Sequence, residues 1–369
     1  IIIDWAWYYP GRGTGSPNQS ADFQPRLRTD AGGLLLPDTT RFPSAAGTNG
    51  FKPLADYIHA AGLKFGVHLM RGIPRQVVAD NLPVPGTNCR ANEIENSTTA
   101  AWLNLNWGLD MANPCAQAYL DAQFKLLASW GVDYVKVDDI AAPTYRQAEV
   151  EGYKLAIQRS GRPMVLSLSP GPTSTANGAH VAANAHMWRV VNDLWDSWGA
   201  LDALFERLHA WTPYRAPGAW PDPDMIPIGR LSQQGPVGSP RYSNLTADEQ
   251  RTLMTLWSIT RSPMMWGGDL TQNRASELAL MKDDIDLLDG LESRLSDVEV
   301  LFELGREEAD DSVEAEVEAG LAALIKEFDR LELRSLYSGE HDERDAVYEV
   351  HSGVRSPSPR YGILSARAR

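Results

Sequence analysis

Two short acidic segments offer the residue types that glycosidic chemistry requires. They read VDYVKVDDI and MWRVVNDLWDSW, and they contain Asp138 and Asp193 respectively. Hydrolysis of a glycosidic bond with retention of configuration needs a carboxylate that attacks the anomeric carbon. It also needs a carboxylic acid, about 5–5.5 Å away, that protonates the leaving oxygen. The first task suits Asp138 and the second suits Asp193.

Nearby cations support this division of tasks. Lys136 and Asp138 share one face of a predicted strand, and a neighbouring cation favours the ionised carboxylate that a nucleophile needs. Arg189 points inward from the second strand, and Asp193 follows just past the strand end. The alternative is that such charged strand ends only cap helices or pair with arginine.

Two tryptophans flank the second aspartate. Trp195 and Trp198 could partly remove water from Asp193 and raise its pKa toward that of a general acid.

A third acidic segment reads GAWPDPDMIPIG. Asp222 and Asp224 bracket Pro223, which predicts a stiff, extended backbone with both side chains facing one cavity. A turn with two helix-capping carboxylates is the alternative.

Residues after the first two predicted strands complete the candidate site. Asp4 could accept hydrogen bonds from sugar hydroxyls. In GVHLMRGIPRQ, His68, Arg71 and Arg75 could line the leaving-group side, although ion pairing on the rim explains them equally well.

Short β-rich runs alternate with helical patterns up to about residue 287, which is typical of parallel strands joined by crossover helices. The predicted strands are Ile1–Trp5, Leu63–Leu69, Val132–Val137, Pro163–Leu168, Met187–Val191, Gly218–Pro221 and Pro263–Gly267. The predicted helices are Phe51–Ala61, Ala116–Trp130, Thr144–Ser160, Ala200–Trp211, Ala247–Thr260 and Ala275–Leu287. Seven strands are one short of a closed barrel, so we expect a (β/α)₈ TIM barrel over residues 1–287 that lacks its first strand.

The segment Tyr8–Gly50 has no periodicity and is rich in Gly, Pro, Ser, Thr and Asn. Because it follows the first predicted strand, we expect a long functional loop on the carboxyl-terminal face of the barrel.

From Leu288 the pattern changes to apolar residues at helical spacing. It predicts an antiparallel helical hairpin over residues 288–336 that turns around Ala309–Ser312. Residues 337–369 are expected to form a short strand-like piece and a disordered tail.

Composition narrows the class of partner. The net charge of −14 argues against nucleic acid and anionic membranes, because both attract clustered Lys and Arg. No apolar run approaches the roughly 20 residues of a membrane span. Twelve tryptophans suit flat sugar faces. Eight of them lie near predicted strand ends: Trp5, Trp7, Trp107, Trp188, Trp195, Trp198, Trp220 and Trp266.

Cys89 and Cys115 could form one disulfide in an exported enzyme. The chain begins inside a predicted strand, so we expect an N-terminus that has been cut away. The compartment and the oligomeric state are not readable from the sequence.

As a set, several segments resemble family 27 of the glycoside hydrolases, typified by α-galactosidases. They read IIIDWAW, RFPSAAGTNGFKPLADYIHAAGLKFGVHLMRGIPRQ, VDYVKVDDI, MWRVVNDLWDSW, AWPDPDM and RSPMMWGGDL. The resemblance implies a retaining mechanism with Asp138 as nucleophile and Asp193 as acid/base, and needs neither metal nor organic cofactor. It also implies that Asp4, Lys136 and Arg189 contact sugar hydroxyls, with Asp224 close by.

Two departures from the family concern the choice of sugar. α-Galactosidases of this family usually carry two adjacent acidic residues where this chain has Asp4 and Trp5, and an acidic residue where it has Ser169. Terminal α-galactosides are the first expected substrate, and the alternatives are a β-L-arabinopyranosidase or an isomaltodextranase-like enzyme. A non-catalytic, truncated chimera is the alternative outside enzymology.

Residues 288–353 have a second resemblance, to the N-terminal region of the type-two bacterial peptide chain release factor. No Gly-Gly-Gln motif follows, so the resemblance implies no peptide release.

Overall fold

The computed structural model describes residues 1–4, 7–10, 26–47, 49–100, 102–233, 237–282, 294–300, 302 and 315–326. The chain divides into two compact units. The first comprises residues 1–245 and 256–279, and the second comprises residues 246–255 and 280–369. The sheet and the candidate site belong to the first unit.

Twelve short strands are assigned in the described part of the chain. They are β1 (Ile2–Ile3), β2 (Gly66–Met70), β3 (Ile73–Pro74), β4 (Asn106–Trp107), β5 (Tyr134–Asp138), β6 (Val165–Leu168), β7 (Met187–Arg189), β8 (Trp220–Asp222), β9 (Met225–Ile226), β10 (Arg230–Leu231), β11 (Arg241–Tyr242) and β12 (Met265–Trp266).

Six of these strands form one parallel sheet in the order β1-β2-β5-β6-β7-β8. Two residues separate the end of β8 from the start of β9, and β9 pairs in parallel with β12. Seven successive strand positions therefore follow one another in parallel, as the sequence predicts. Among the described residues, neither β1 nor β12 has a second parallel neighbour.

Helices connect the parallel strands. They are α1 (Lys52–Ala60), α2 (Arg75–Ala79), α3 (Pro114–Ser129), α4 (Gln147–Arg159), α5 (Gly178–Asn184), α6 (Trp198–Trp211) and α7 (Ala247–Thr260), and residues 275–282 are also helical. The short helices α2 and α5 were not predicted, because five or seven residues are too few to show a helical period.

The start of α3 shows how local sequence sets a boundary. Asn113 caps this helix, since its side-chain oxygen accepts a hydrogen bond of 3.0 Å from the backbone N–H of Cys115. Pro114 occupies the first helical turn, where a missing N–H costs nothing. The disulfide between Cys89 and Cys115 joins the same turn to the preceding loop.

Alternation along the strands separates a packed face from a polar one. Val135 and Val137 of β5 are fully buried, as are Phe124 of α3 and Val150 of α4. Phe124 meets Tyr153 edge to face, with ring centroids 5.7 Å apart, so α3 and α4 pack together behind the sheet. The other face of β5 carries Lys136 and Asp138, which leaves charged groups on the inner side of the sheet.

The predicted long loop and hairpin are only partly described. Within Tyr8–Gly50, residues 11–25 and 48 lie outside the described residues, and residues 26–47 contain short turns and one 3₁₀ helix, Pro43–Ala45. In the second unit, residues 294–300 and 315–326 are helical. The predicted turn at Ala309–Ser312 and the tail 337–369 lie outside the described residues.

Candidate active site

The candidate residues lie at the carboxyl ends of the parallel strands. The register sets Met70 opposite Asp138, and Arg189 opposite Asp222. Two residues before the pair of Met70 and Asp138, on the same face of the two strands, His68 lies opposite Lys136. Because neighbouring residues of parallel strands point to the same face, these side chains converge on the inner side of the sheet. This is where sites are built in barrel enzymes.

Asp138 is buried and surrounded by donors. Its Oδ2 lies 3.2 Å from His68 Nε2, and its Oδ1 accepts a hydrogen bond of 3.0 Å from the backbone N–H of Asp139. Burial alone would raise the pKa of Asp138. The interaction with His68, the charge of Lys136 and the N–H of Asp139 outweigh burial and lower it. Asp138 is therefore held as a carboxylate, the form that attacks an electrophilic carbon.

Lys136 joins two of the predicted residues. Its Nζ donates to Asp4 Oδ2 at 3.1 Å, and its charge also interacts with that of Asp138. Burial would lower the pKa of Lys136, but these carboxylates raise it, so the ammonium group keeps its charge inside the site. Asp4 itself is more than half exposed, with 57% of its side chain accessible.

Arg189 lies between two carboxylates. Its NH2 donates to Asp193 Oδ1 at 3.1 Å and to the backbone oxygen of Val191 at 3.2 Å, and its NH1 lies 2.8 Å from Asp224 Oδ1. The Nε of Arg189 is buried and has no hydrogen-bond partner among the described residues. The guanidinium therefore pairs with both carboxylates, and its Nε–H is left as a donor without a hydrogen-bond partner among the described residues.

The structure corrects the predicted environment of Asp193. Its side chain is 69% exposed, so Trp195 and Trp198 do not shield it from water as the sequence suggested. Trp195 instead lies under the guanidinium of Arg241, 5.7 Å from ring centroid to Cζ, and Trp198 is 46% exposed as the first residue of α6.

The segment with Asp222 and Asp224 differs from the extended geometry predicted for it. Asp224 has a φ of 83°, in the left-handed region, and it lies with Pro223 between β8 and β9. The Oδ1 of Asp222 accepts a hydrogen bond of 2.8 Å from the N–H of Asp224. An aspartate side chain that bonds to the backbone two residues on is a turn, so proline stiffness did not make this segment straight.

Both carboxylates nevertheless face the same cation. Burial and the repulsion from Asp222 raise the pKa of Asp224 to about 6, although the charge of Arg189 lowers it. Burial also raises the pKa of Asp222. The Oδ2 of Asp224 accepts a hydrogen bond of 2.8 Å from the N–H of Leu194, the residue after Asp193.

The structure places Arg71 away from the role predicted for it. Its side chain is only 2% exposed, and its donors are occupied by Asp139 at 2.9 Å, Glu149 at 2.9 Å and Thr98 at 3.2 Å. A buried guanidinium so fully engaged is a structural group, and we do not retain Arg71 among the candidate substrate contacts. It also donates to the backbone oxygen of Asp139, whose φ is 62°.

Other predicted residues are distributed around the site. Ser169 is buried directly after β6, and its backbone N–H donates to the carbonyl oxygen of Val137, the residue before Asp138. His68 is fully buried against Asp138. Arg75 stacks on Trp107 at 4.2 Å, so cation–π contact and not a carboxylate accounts for its position. Trp5 lies outside the described residues.

Some of the predicted tryptophans pack in the core, and others are only partly buried. Trp7 and Trp188 are fully buried, so neither is the sugar platform that the sequence suggested. Trp7 packs edge to face against Phe51 and Trp130, at 5.3 and 6.0 Å between ring centroids. Trp107, Trp195, Trp220 and Trp266 are half-buried.

Sequence reasoning missed the anchor of the loop that carries Asp193. Asp196 forms a two-pronged ion pair with Arg241 and accepts a hydrogen bond of 2.8 Å from the N–H of Asn244. A second aspartate three residues after Asp193 was a visible signal. Its partners were not, because Arg241 lies 45 residues further along the chain.

Among the described residues, no cluster of three or more His, Cys, Asp or Glu side chains could hold a metal ion. No helix among the residues described has the length and apolar character needed to cross a membrane.

Comparison with known proteins identifies relatives of this chain. Residues 110–287 match the model of the family described as "Melibiase_2: Alpha galactosidase A". Human α-galactosidase A is 27% identical over 269 residues, which is 69% of this chain and 50% of the relative. The α-N-acetylgalactosaminidase of Gallus gallus is 30% identical over 253 residues, covering 65% of this chain and 50% of the relative.

A solved structure is more similar still. The family 27 β-L-arabinopyranosidase of Geobacillus stearothermophilus, in complex with arabinose, is 44% identical with a TM-score of 0.74. The alignment covers 77% of this chain and 66% of that one. The chain spans about half the length of the curated relatives it matches. The sheet and its crossover helices thus form an α/β fold of the (β/α)₈-barrel type.

Proposed function

We propose, from the premise that residues 110–287 carry a domain of the α-galactosidase A family, that the protein is a retaining glycoside hydrolase. Its substrate is a terminal sugar with the ring configuration of α-D-galactose. The single observation that carries the proposal is the pair of carboxyl groups in contrasting surroundings. Asp138 is buried and held ionised, whereas Asp193 is exposed and bonded to Arg189.

In the first step, a carboxylate oxygen of Asp138 attacks the anomeric carbon while the bond to the leaving oxygen breaks. Asp193 gives its proton to that oxygen, and the sugar becomes an ester of Asp138. In the second step, Asp193 takes a proton from water, the water oxygen attacks the anomeric carbon, and the ester bond breaks. Two inversions leave the configuration unchanged, and both carboxyl groups return to their first state.

Charged donors near the nucleophile support sugar binding. Lys136 and Asp4 form an ion pair beside Asp138, and the Nε of Arg189 has no protein partner among the described residues. Sugar hydroxyls bind to such groups because each hydroxyl both donates and accepts. We assign Asp4, Lys136, Arg189 and Asp224 to substrate recognition, with His68 and Ser169 beside them.

The choice of sugar has two candidates. α-D-Galactosides are the first, as in the human relative named above. β-L-Arabinopyranosides are the second, favoured by the 44% identity to the Geobacillus enzyme. The two sugars have the same ring configuration, and L-arabinopyranose lacks the CH₂OH group of galactose. One site could therefore accept both and discriminate by contacts around that group.

The first experiment is a panel of p-nitrophenyl glycosides. It comprises α-D-galactoside, β-L-arabinopyranoside, N-acetyl-α-D-galactosaminide and α-D-glucoside. We expect turnover of one of the first two, with kcat reduced at least about 10³-fold in Asp138→Asn because the covalent step is lost. Near-normal turnover by that variant would remove Asp138 from the mechanism. Asp110→Asn, an exposed aspartate elsewhere, is the matched control.

Azide rescue separates the roles of the two aspartates. With Asp193→Ala, azide should attack the glycosyl ester and give a glycosyl azide of retained configuration. With Asp138→Ala, azide should take the place of the nucleophile and give the inverted product. NMR of the anomeric proton distinguishes the two, and the opposite pairing would reverse the assignment.

The resemblance of residues 288–353 to a release factor stays a prediction. We assign no activity to that segment.

A further inference from the structure

The loop that carries Asp193 alternates between exposed and buried side chains. Asp193 is exposed, Leu194 is buried, Trp195 is half-buried and Asp196 is buried, and no turn or helix is assigned over residues 193–195. Alternate side chains of an extended segment point to opposite sides, so Asp193 and Trp195 share the outward side. Two residues of extended chain span at most about 7 Å. An indole ring therefore lies on the same side of the loop as the proposed acid/base, and close to it.

The ring of Trp195 is supported from one side. The guanidinium of Arg241 lies over it with Cζ 5.7 Å from the ring centroid, which is within the range of a cation–π contact. Among the described residues, no other ring or cation stacks on Trp195. One face of the indole is thus supported, and the described part of the protein supplies no stacking partner for the other.

Arg241 is itself held firmly. Its Nε donates to Asp196 Oδ2 at 3.0 Å, its NH2 pairs with Asp196 Oδ1, and its NH1 donates to Ser232 Oγ at 3.0 Å. Asp196 also accepts the N–H of Asn244 at 2.8 Å, and its side chain is only 3% exposed. Every nitrogen of the guanidinium has a partner, so the support of Trp195 is fixed. A ring that is already positioned binds a ligand with less loss of conformational entropy.

The position of this ring fits the leaving group of the reaction. Asp193 protonates the oxygen that joins the terminal sugar to the leaving group, so the first atoms of the leaving group lie against Asp193. The groups assigned to the terminal sugar lie on the inner side of the sheet, around Asp138 and Lys136. Trp195 lies beyond Asp193, in the loop that follows β7, and is therefore placed to contact the leaving group.

The surroundings of the ring favour a neutral ligand with an apolar face. Arg241 brings a positive charge to Trp195, but the carboxylate of Asp196 neutralises it in a nearly buried pair. A pyranose presents C–H groups on one face, which pack on an aromatic ring while its hydroxyls stay in water. A neutral sugar is the ligand that this chemistry selects.

We propose that Trp195 is the platform for a pyranose in the leaving group, which stacks on the open face of the indole while Arg241 and Asp196 fix the ring beside Asp193. This rests on the proposed function, because it takes Asp193 as the acid. The same platform holds an acceptor sugar in the second step. A hydroxyl of that sugar then attacks the anomeric carbon, Asp193 takes its proton, and the ester bond to Asp138 breaks.

The test compares substrates that share the terminal sugar and differ in the leaving group. One is the glycosyl fluoride, whose leaving fluoride is too small to reach Trp195. The others are disaccharides in which the same sugar is joined to different positions of glucose. The terminal sugar is galactose or arabinopyranose, as the panel of p-nitrophenyl glycosides decides. Values of kcat/KM are measured for the unmodified chain, Trp195→Ala and Trp195→Phe.

In Trp195→Ala, kcat/KM for the best disaccharide should fall at least about tenfold, which corresponds to losing roughly 50–60 Å² of apolar contact. The value for the fluoride should stay nearly unchanged. Trp195→Phe keeps a flat ring and should lose less. The control is Tyr57→Ala, which removes an aromatic side chain of α1 that is 77% exposed and should change neither value.

Transfer to an acceptor gives a second readout. With the glycosyl fluoride as donor and glucose as acceptor, the ratio of disaccharide formed to free sugar released reports binding of the acceptor. This ratio does not depend on the amount of folded enzyme, so a merely structural loss would not move it. It should fall in Trp195→Ala and stay constant in Tyr57→Ala.

An equal loss on the fluoride and the disaccharides in Trp195→Ala, no loss on either, or a constant transfer ratio would overturn the proposal. An unmodified chain that hydrolyses the fluoride but no disaccharide would do so too. If Trp195→Ala does not fold, Trp195→Leu decides, because it keeps apolar volume without a flat face. A chain inactive on the fluoride and on every glycoside would defeat the proposed function itself, whereas changes confined to the disaccharides concern Trp195 alone.

Discussion

At the scale of single residues, the two proposed catalytic aspartates illustrate opposite uses of their surroundings. Asp138 is desolvated, yet donors and a cation keep it ionised. Asp193 is solvated, and its cation is shared with a second acid. An exposed acid that is bonded to a guanidinium can also receive water in the second step, which an acid buried under tryptophan could not do as easily.

Removing Lys136 should change the acid side of the pH profile. Its charge helps to lower the pKa of Asp138, so Lys136→Gln should raise that pKa. Because Asp138 must be ionised to attack, activity falls as the pH drops through its pKa. The acidic limb of kcat/KM should therefore move to higher pH, by about one pH unit. Lys125→Gln, an exposed lysine of α3, should leave the limb in place.

The comparison is made by initial rates between pH 3 and pH 8 at low substrate concentration. A limb that stays fixed in Lys136→Gln while the rate falls would mean that Lys136 only binds sugar.

At the scale of elements, a buried ion-pair network fastens three of them together. Arg71 follows β2, Asp139 follows β5 and Glu149 lies on α4, and all three are less than one tenth exposed. By bonding Asp139, Arg71 helps to hold the backbone N–H that contacts Asp138. The network thus connects a crossover helix to the orientation of the proposed nucleophile.

Breaking this network should cost far more than breaking a surface pair. Glu149→Ala leaves Arg71 charged, buried and short of one partner, for which we expect a loss of about 3–5 kcal/mol in the free energy of unfolding. The control is Asp56→Ala, which breaks the exposed pair with Lys52 and should cost about 0.3–0.5 kcal/mol. Urea unfolding at pH 7 measures both, and equal losses would refute the structural role of Glu149.

Elements were predicted more successfully than the contacts between them. The seven parallel strand positions follow from hydrophobic pattern, because a buried strand between helices reads as an apolar run. The turn at Asp224 did not follow, since Pro223 indicates stiffness without indicating the bond from Asp222 to the N–H of Asp224. The exposure of Asp193 was also missed, because adjacency to Trp195 in sequence does not fix where the ring packs.

At the scale of the whole molecule, contacts distant in sequence decided what the local pattern left open. Arg71 could not be assigned from its segment, because its partners Asp139 and Glu149 lie 68 and 78 residues away. Trp7 could not be recognised as core before Phe51 and Trp130 were known to surround it. The residue types identified the segments that form the candidate site. Long-range packing then distinguished the side chains that face this site from those that stabilise the fold around it.

The disulfide adds covalent stability to the first unit. It closes a segment with a sequence separation of 26, for which loop-closure entropy predicts about 3.5 kcal/mol. Replacing Cys89 and Cys115 together by serine should lower the free energy of unfolding by that amount and leave kcat nearly unchanged, since neither residue is in the candidate site. Reducing agent should lower Tm in the unmodified protein and have no effect on the double variant, and a Tm insensitive to reduction would contradict this.

Two aspartates of the first unit, Asp139 and Asp224, occupy left-handed backbone conformations at φ of 62° and 83°. Glycine would relieve that strain, yet the side chains are needed where they are. Glycine at either position would also remove a carboxylate that pairs with a buried arginine, Arg71 or Arg189, and losing one partner of a buried ion pair costs about 3–5 kcal/mol. The pairing therefore outweighs the roughly 1–2 kcal/mol of backbone strain, and a library screened for heat resistance should retain aspartate at both positions.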